Sequence, residues 1–373
     1  MDFESLLKLM VHKQASDLFI TAGVAPSLKI NGKITPVTQT TLTPNQAREI
    51  VYSVMSPAQK KEFEASYECN FAISASGIGR FRVSAFQQRN NAGMVLRKIE
   101  TTIPTLDDLG LPAILKEFVM TKRGLVILVG ATGSGKSTSL AAMIGYRNKN
   151  SSGHIITIED PIEFIHHHEG CIITQREVGL DTDTFEVALK NTLRQAPDVI
   201  LIGEIRSRET MDHAIAFAET GHLCLATLHA NNANQAMDRI INFFPEDRRS
   251  QLLMDLSLNL KAVMAQQLIP TPDGQGRVLA AEIMINTPLI SDLMRKGEIH
   301  SLKELMAKSR NHGMQTFDQA LYDLYKAGSI TYEDAINHAD SANELRLMIK
   351  LGESKSAARK LDSSLDGVTL QDN

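Results

Sequence analysis

Gly130, Ala131, Thr132, Gly133, Ser134, Gly135, Lys136 and Ser137 satisfy the pattern GxxxxGK[ST], and Thr138 follows directly. Glycines at this spacing let the backbone curl until successive N–H groups face one point, the geometry that cradles a polyphosphate. Lys136 would bring a cation to the terminal phosphates, and the Ser137 hydroxyl could ligate Mg²⁺. A chain of this length contains only about 0.01 such matches by chance. A nucleoside triphosphate is therefore the expected ligand.

Hydrolysis needs more: a carboxylate to orient or deprotonate water, and charge where the developing oxyanions form. Two acidic places could serve. Glu159, Asp160 and Glu163 lie in IEDPIEF, just after an apolar run at 155–158. They serve equally well as turn-capping acids or as catalytic ones. Glu204 ends DVILIGE, the form of a Walker B strand in which Gly203-Glu204 replaces the usual terminal Asp. A third run, GHLCLATLH, carries His222 and His229 at its two ends. A strand-end histidine is a packed or surface residue as readily as a catalytic one. Nearby acid-bearing strand ends raise the second alternative. His166, His167 and His168 invite a metal, but three adjacent side chains do not converge on one ion without an unusual loop.

The elements that must position these groups read as follows. The P-loop sits after the apolar run 125–129 and before a helical pattern at 139–146, the strand–loop–helix context the motif requires. Further apolar runs at 155–158, 199–202, 223–228 and 278–285 alternate with helical segments. That predicts a parallel α/β sheet covered on both faces, with ligands at the carboxyl ends of its strands. The first hundred residues predict a smaller mixed domain. Strand-like runs lie at 17–20, 27–30 and 94–99, Asn31-Gly32 is a hairpin signal, and Thr43-Pro44 and Ser56-Pro57 open helices. In 79–86, Phe81, Val83 and Ala85 alternate with Arg80, Arg82 and Ser84, so one face is apolar and the other solvated. A boundary is expected between 100 and 121, where Pro104 and Pro112 fall. Thr316-x-x-Gln319, Thr331-x-x-Asp334 and Ser341-x-x-Glu344 predict short helices near the C-terminus. The polar stretch 353–373 predicts disorder.

Composition sets the frame. The chain has 373 residues, which suggests two or three domains at about 150 residues each. Lys plus Arg is 39 against 43 Asp plus Glu, a formal charge of −4, so the basic excess that drives nucleic-acid binding is missing. No apolar stretch reaches membrane-spanning length and no secretory signal is expected. Three cysteines without a CxxC pair argue for a reducing compartment and against a disulfide framework or zinc knuckle. These features together predict a cytoplasmic protein.

GATGSGKST (130–138), TIEDPIEF (157–164), DVILIGEIR (198–206) and AETGHLCLATLHANNA (218–233) occur here in one order. Together with SDLFITAG (16–23), RFRVSAF (80–86) and VLRKI (95–99), they make the chain resemble the secretion and type IV pilus ATPase superfamily. Within it, the pilus retraction ATPases of the PilT/PilU family are most similar, over about residues 4–350. The resemblance implies a RecA-like P-loop ATPase core at 121–290 and a PAS-like N-terminal α/β domain at 1–100, joined by a linker at 101–120. The capping boxes predict a helical C-terminal extension at 291–352, and the polar composition predicts a disordered tail at 353–373. The resemblance implies ATP and Mg²⁺, with Glu163 as general base and Glu204 organising Mg²⁺ and water. His222 and His229 would sense the γ-phosphate or the subunit interface, and Arg82 and Arg97 would reach the phosphates. A homohexamer acting at the inner-membrane pilus machine is implied too, partnered by a paralogous PilT-type ATPase and the platform protein.

The missing tetracysteine insert and the absence of an extra N-terminal domain favour retraction over extension. The segment LISDLMRKG (289–297) departs from the AIRNLIRE-type segment of PilT-like chains, and the polar tail is an addition. Both departures favour the PilU type, an accessory motor for twitching motility. Two other functions are open to such a chain. It could sense nucleotide and mainly dock on another retraction ATPase, or it could be a nucleic-acid translocase, which the acidic balance argues against.

Overall fold

The computed structural model describes residues 2–30, 32–99 and 102–352. The tail at 353–373, Asn31 of the hairpin signal, and Glu100 and Thr101 lie outside the described residues. By its contacts the chain divides into two units, one comprising Met1–Thr102 with Ile162–Ile165 and the other Ile103–Pro161 with His166–Asn373.

The first unit begins with α1 (Phe3–His12), β1 (Asp17–Ile20), β2 (Ser27–Ile30) and β3 (Lys33–Pro36). Helices α2 (Pro44–Ser53) and α3 (Pro57–Ser66) follow, then β4 (Glu68–Ala75), β5 (Gly79–Gln88) and β6 (Asn91–Ile99). Thr43 and Ser56 each close a capping box with a proline in the first turn, so both expected helix starts form where the sequence puts them. The six strands make an antiparallel sheet in the order β3-β2-β1-β6-β5-β4. The alternation expected in β5 holds: Phe81, Val83 and Ala85 are buried with Leu6, Met10, Val51, Phe71, Met94 and Leu96.

In the second unit, α4 (Ile114–Met120) leads into β7 (Gly124–Val129), α5 (Lys136–Asn150), β8 (Gly153–Glu159) and β9 (Cys171–Glu177). Next come α6 (Phe185–Thr192), β10 (Val199–Ile202), α7 (Arg208–Glu219), β11 (Leu223–Leu228), α8 (Ala233–Asn242) and α9 (Glu246–Asn259). The remainder is β12 (Leu260–Pro270), β13 (Arg277–Ile285), α10 (Pro288–Lys296), α11 (Leu302–Lys308), α12 (Phe317–Lys326), α13 (Tyr332–His338) and a helix at 342–352. The sheet runs β13-β12-β7-β11-β10-β8-β9. Leu125 to Val129 are all fully buried, and apolar clusters cover both sides of the sheet. Burying each such side chain contributes about 1.5–3 kcal/mol, so the strand that leads into the P-loop is anchored in the core.

Two corrections apply to the expected parallel sheet. The run 278–285 is antiparallel to its neighbour β12, in register from Pro270↔Arg277 to Ala262↔Ile285. The connection is residues 271–276, far too short for the dozen or more residues a parallel crossover needs. Strands β9 and β12 were not expected at all. The sequence LKAVMAQQLIP of β12 interrupts its apolar residues with two glutamines and reads as neither period 2 nor period 3.6. One of those glutamines belongs to the site below.

Candidate functional site

The P-loop leaves β7 at Val129 and enters α5 at Lys136. Gly130, with φ 154°, allows the loop to close: a Cβ there would meet the Ser134 hydroxyl and, at 2.7 Å, the Gln266 carbonyl of β12. Gly133 and Gly135 adopt φ 79° and 90°, left-handed values that only glycine takes without strain. Gln266 Nε2 donates to the Ser134 carbonyl at 2.7 Å, so the neighbouring strand braces the loop. Lys136 is buried, and its Nζ donates to the Gly130 and Ala131 carbonyls at 2.8 and 3.0 Å. Burial pulls its pKa below the usual lysine value, and Glu204 opposes the shift.

Three observations fit these residues to a phosphate chain. α5 begins without a side-chain cap, so its first-turn N–H groups are open to an anion at the positive end of the helix. The Ser134 hydroxyl and Gln266 Oε1 are buried without a hydrogen-bond partner among the described residues. A cleft of about 310 Å³ opens beside 131–134, lined also by Asn231, Gln267, Arg277 and His338. Ser137 is exposed in the first turn of α5 and Thr138 half-buried, so both hydroxyls are accessible to a metal or phosphate. We expect Gly130→Ala to destabilise the protein by about 1–3 kcal/mol and to weaken ATP binding. Thermal melting with and without ATP checks this, and an unchanged melting temperature with unchanged ATP affinity would refute the bracing of the loop.

Glu204 stands just beyond β10. Its Oε2 accepts from Arg206 Nε at 2.7 Å, and its Oε1 lies 3.3 Å from His229 Nε2. Burial, reinforced by Lys136, holds the His229 pKa below the usual histidine value, while Glu204 opposes the shift. Arg206 also reaches Asp160 Oδ2 at 3.1 Å. Gly203, where a Walker B strand usually has Asp, has a packing reason: a Cβ there would meet Glu159 Cα at 3.0 Å and the Ile158 carbonyl at 3.1 Å. Glu159 accepts from Thr157 and Gln175.

The structure thus joins Lys136, Glu204, His229 and Asp160, with Arg206 between the acids. Other expected residues lie elsewhere. His222 is at the opposite end of its strand: β11 runs parallel to β7 with Leu223 beside Gly124 and Leu228 beside Val129, and the His222 carbonyl accepts from Gly124. Its Nδ1 faces Thr220 Oγ1 at 3.0 Å. Within one subunit, His222 therefore does not share the P-loop end with His229. Glu163 falls in Ile162–Ile165, which groups with the first unit, and is exposed. Arg82 and Arg97 are directly opposed across β5 and β6, and Asp17, the β1 partner of Arg97, accepts from its Nε at 2.8 Å. The three histidines diverge. His166 is half-buried, and burial lowers its pKa to about 4. The carbonyl of His167 accepts from Asn148, and His168 Nδ1 accepts from Ile173. No cluster of three metal-ligating side chains occurs among the described residues.

Arg206, Gln266 and Asn231 were not singled out in the sequence. Arg206 carries a readable signal, standing two residues after Glu204 past a strand end. Gln266 carries none, because β12 itself was not legible.

Residues 3–310 match the family described as "Type II/IV secretion system protein", and the chain belongs to that family. It is 72% identical to the type IV pilus ATPase PilU of Pseudomonas aeruginosa over 371 residues, spanning 100% of this chain and 97% of that protein. It is 41% identical to the PilT retraction ATPase of the same organism over 335 residues, 90% of this chain and 97% of that one. Among solved structures it is similar to the pilus retraction motor PilT with bound ADP, with a TM-score of 0.88 and 40% identity over 93% of this chain and 99% of that one. The fold is the RecA-like α/β fold of these ATPases. No helix among the described residues is long and apolar enough to cross a membrane.

Proposed function

We propose that this chain hydrolyses Mg-ATP to drive type IV pilus retraction, as a PilU-type motor subunit of a cytoplasmic homohexamer. The observation that carries the reading is the convergence of Lys136, Glu204 and His229 around a P-loop braced for a polyphosphate. The 72% identity to a PilU over the full chain supports the type. The domain division at 1–100, 101–120, 121–290 and 291–352 is part of this proposal.

The residues take these roles. The N–H groups of 130–138 and Lys136 hold the phosphates. Ser137 and Glu204 hold Mg²⁺, which supplies charge neutralisation on the β- and γ-phosphates when bound. Glu204 also orients water, with Arg206 and His229 fixing its carboxylate. His229, which contacts Glu204 near Lys136, senses the γ-phosphate or the subunit interface. Glu163 acts as general base, Arg82 and Arg97 supply charge to the phosphates, and His222 serves the subunit interface. The ring docks peripherally on the inner-membrane platform protein and works beside a PilT-type ATPase. It takes no nucleic acid.

ATPase activity measured alone and with a PilT-type ATPase, beside pilus retraction in cells lacking each, tests the proposal. Mg-dependent turnover together with reduced retraction in the deletion strain is expected. An absence of turnover in every combination would overturn the motor assignment. Activity that exists only in the partner, with co-assembly intact, would favour a docking subunit instead.

A further inference from the structure

Glu282 lies on β13, buried at 2% exposure and opposite Ala265 of β12. Its Oε1 accepts the Ala233 N–H at 2.7 Å. Ala233 is the first residue of α8, so the carboxyl ties down the start of that helix. Burial pushes its pKa up to about 7; Asp340 adds to the shift, while the Ala233 N–H and Lys303 oppose it. A buried acid in such a place is costly, and apolar packing of the same volume is often as stable.

α8 begins four residues after His229, and its cap, Asn232, follows Asn231, which lines the cleft. The helices after β13 meet at the same spot. Lys303 of α11 pairs with Asp318 of α12 at 3.5 Å and with Asp340 at 2.9 Å. Asp318 Oδ1 accepts the Asp340 and Ser341 N–H groups, and Asn232 Nδ2 donates to Asp340 Oδ2 at 3.3 Å.

We propose that Glu282 is a positioning residue for ATP hydrolysis: by holding the first amide of α8 it fixes residues 229–232, and so sets His229 against Glu204. The cluster of Lys303, Asp318 and Asp340 makes the same point the place where the C-terminal helices bear on the ATP site. The inference rests on the ATPase reading and on the role given there to His229.

The test is a double-mutant cycle on full-length protein, with kcat and KM for ATP measured for Glu282→Gln, His229→Ala and the double variant. Glutamine keeps the volume but replaces one of the two carboxyl oxygens by an NH₂ group, which cannot accept the Ala233 N–H. The expected result is a kcat about tenfold lower with KM within about twofold, as for a misplaced catalytic group. In the His229→Ala background, Glu282→Gln should cost nothing further. A purely structural role would lower the melting temperature and leave kcat per folded site intact, or would multiply with His229→Ala; either result overturns the inference. If His229→Ala alone turns over normally, both the role of His229 and this inference fall. Failure of the ATPase reading is distinguishable, because wild-type protein would then show no turnover. If Glu282→Gln does not fold, Asn232→Ala is the second variant, since it removes the α8 cap and the link to Asp340. It should lower kcat about threefold, only when His229 is present, and an unchanged kcat overturns the proposal.

Discussion

Lys136→Ala abolishes ATP hydrolysis: turnover is expected to fall by at least about 10²–10³-fold and ATP affinity to fall with it. The expectation follows from what the ammonium touches. It is buried, it donates to the carbonyls of Gly130 and Ala131, and it is electrostatically coupled to Glu204. Alanine leaves two carbonyls of a glycine-rich turn without their donor and removes the cation expected at the terminal phosphates. The effect therefore has a structural part, loss of the loop's closed form, and an electrostatic part, loss of charge where oxyanions develop. Lys136→Met, which keeps much of the buried stem, separates them: it should retain more of the melting temperature than alanine while remaining inactive. Undiminished turnover in either variant refutes the assignment. Retained retraction in cells carrying the inactive variant would show that the chain contributes by docking.

Glu204→Gln is expected to lower kcat about 10²–10³-fold while ATP still binds. Glutamine preserves volume and can still accept a hydrogen bond from Arg206 Nε or His229 Nε2, so the fold should tolerate it. What disappears is the negative charge, and with it the Mg²⁺ ligand. The Mg²⁺ concentration required for half-maximal turnover should rise in this variant. Glu163→Gln offers the control. As general base, Glu163 should cost a similar factor in kcat but leave the Mg²⁺ requirement unchanged. If Glu163→Gln turns over normally, Glu204 takes the base role as well. If Glu204→Gln turns over normally, the acid at the end of β10 is incidental and its contacts with Arg206 and His229 are structural.

The local chemistry was legible in the sequence because it is local. A P-loop is a run of consecutive residues whose glycines, lysine and hydroxyls act within one turn, and its flanking strand and helix are adjacent in the chain. The capping boxes at Thr43, Ser56 and Thr316 formed for the same reason. Groups separated in sequence were legible only as far as strand order could be guessed. That order is what separated His222 from His229. Both end one strand, but its parallel pairing with β7 puts only the carboxyl end beside the start of the P-loop.

The sequence by itself determined the P-loop and the ligand class it implies, the acid at the end of β10, the apolar face of β5 and the family. Tertiary structure alone decided what holds these in place. Gln266 reaches the P-loop from 132 residues away, across a strand pairing that no local pattern announces. Glu282 meets Ala233 over 49 residues because β13 turns back antiparallel beside β12. Periodicity reports which face of an element is buried, not which element lies against it; the partners of a buried polar group follow from packing, and packing is settled only when the whole sheet is assembled.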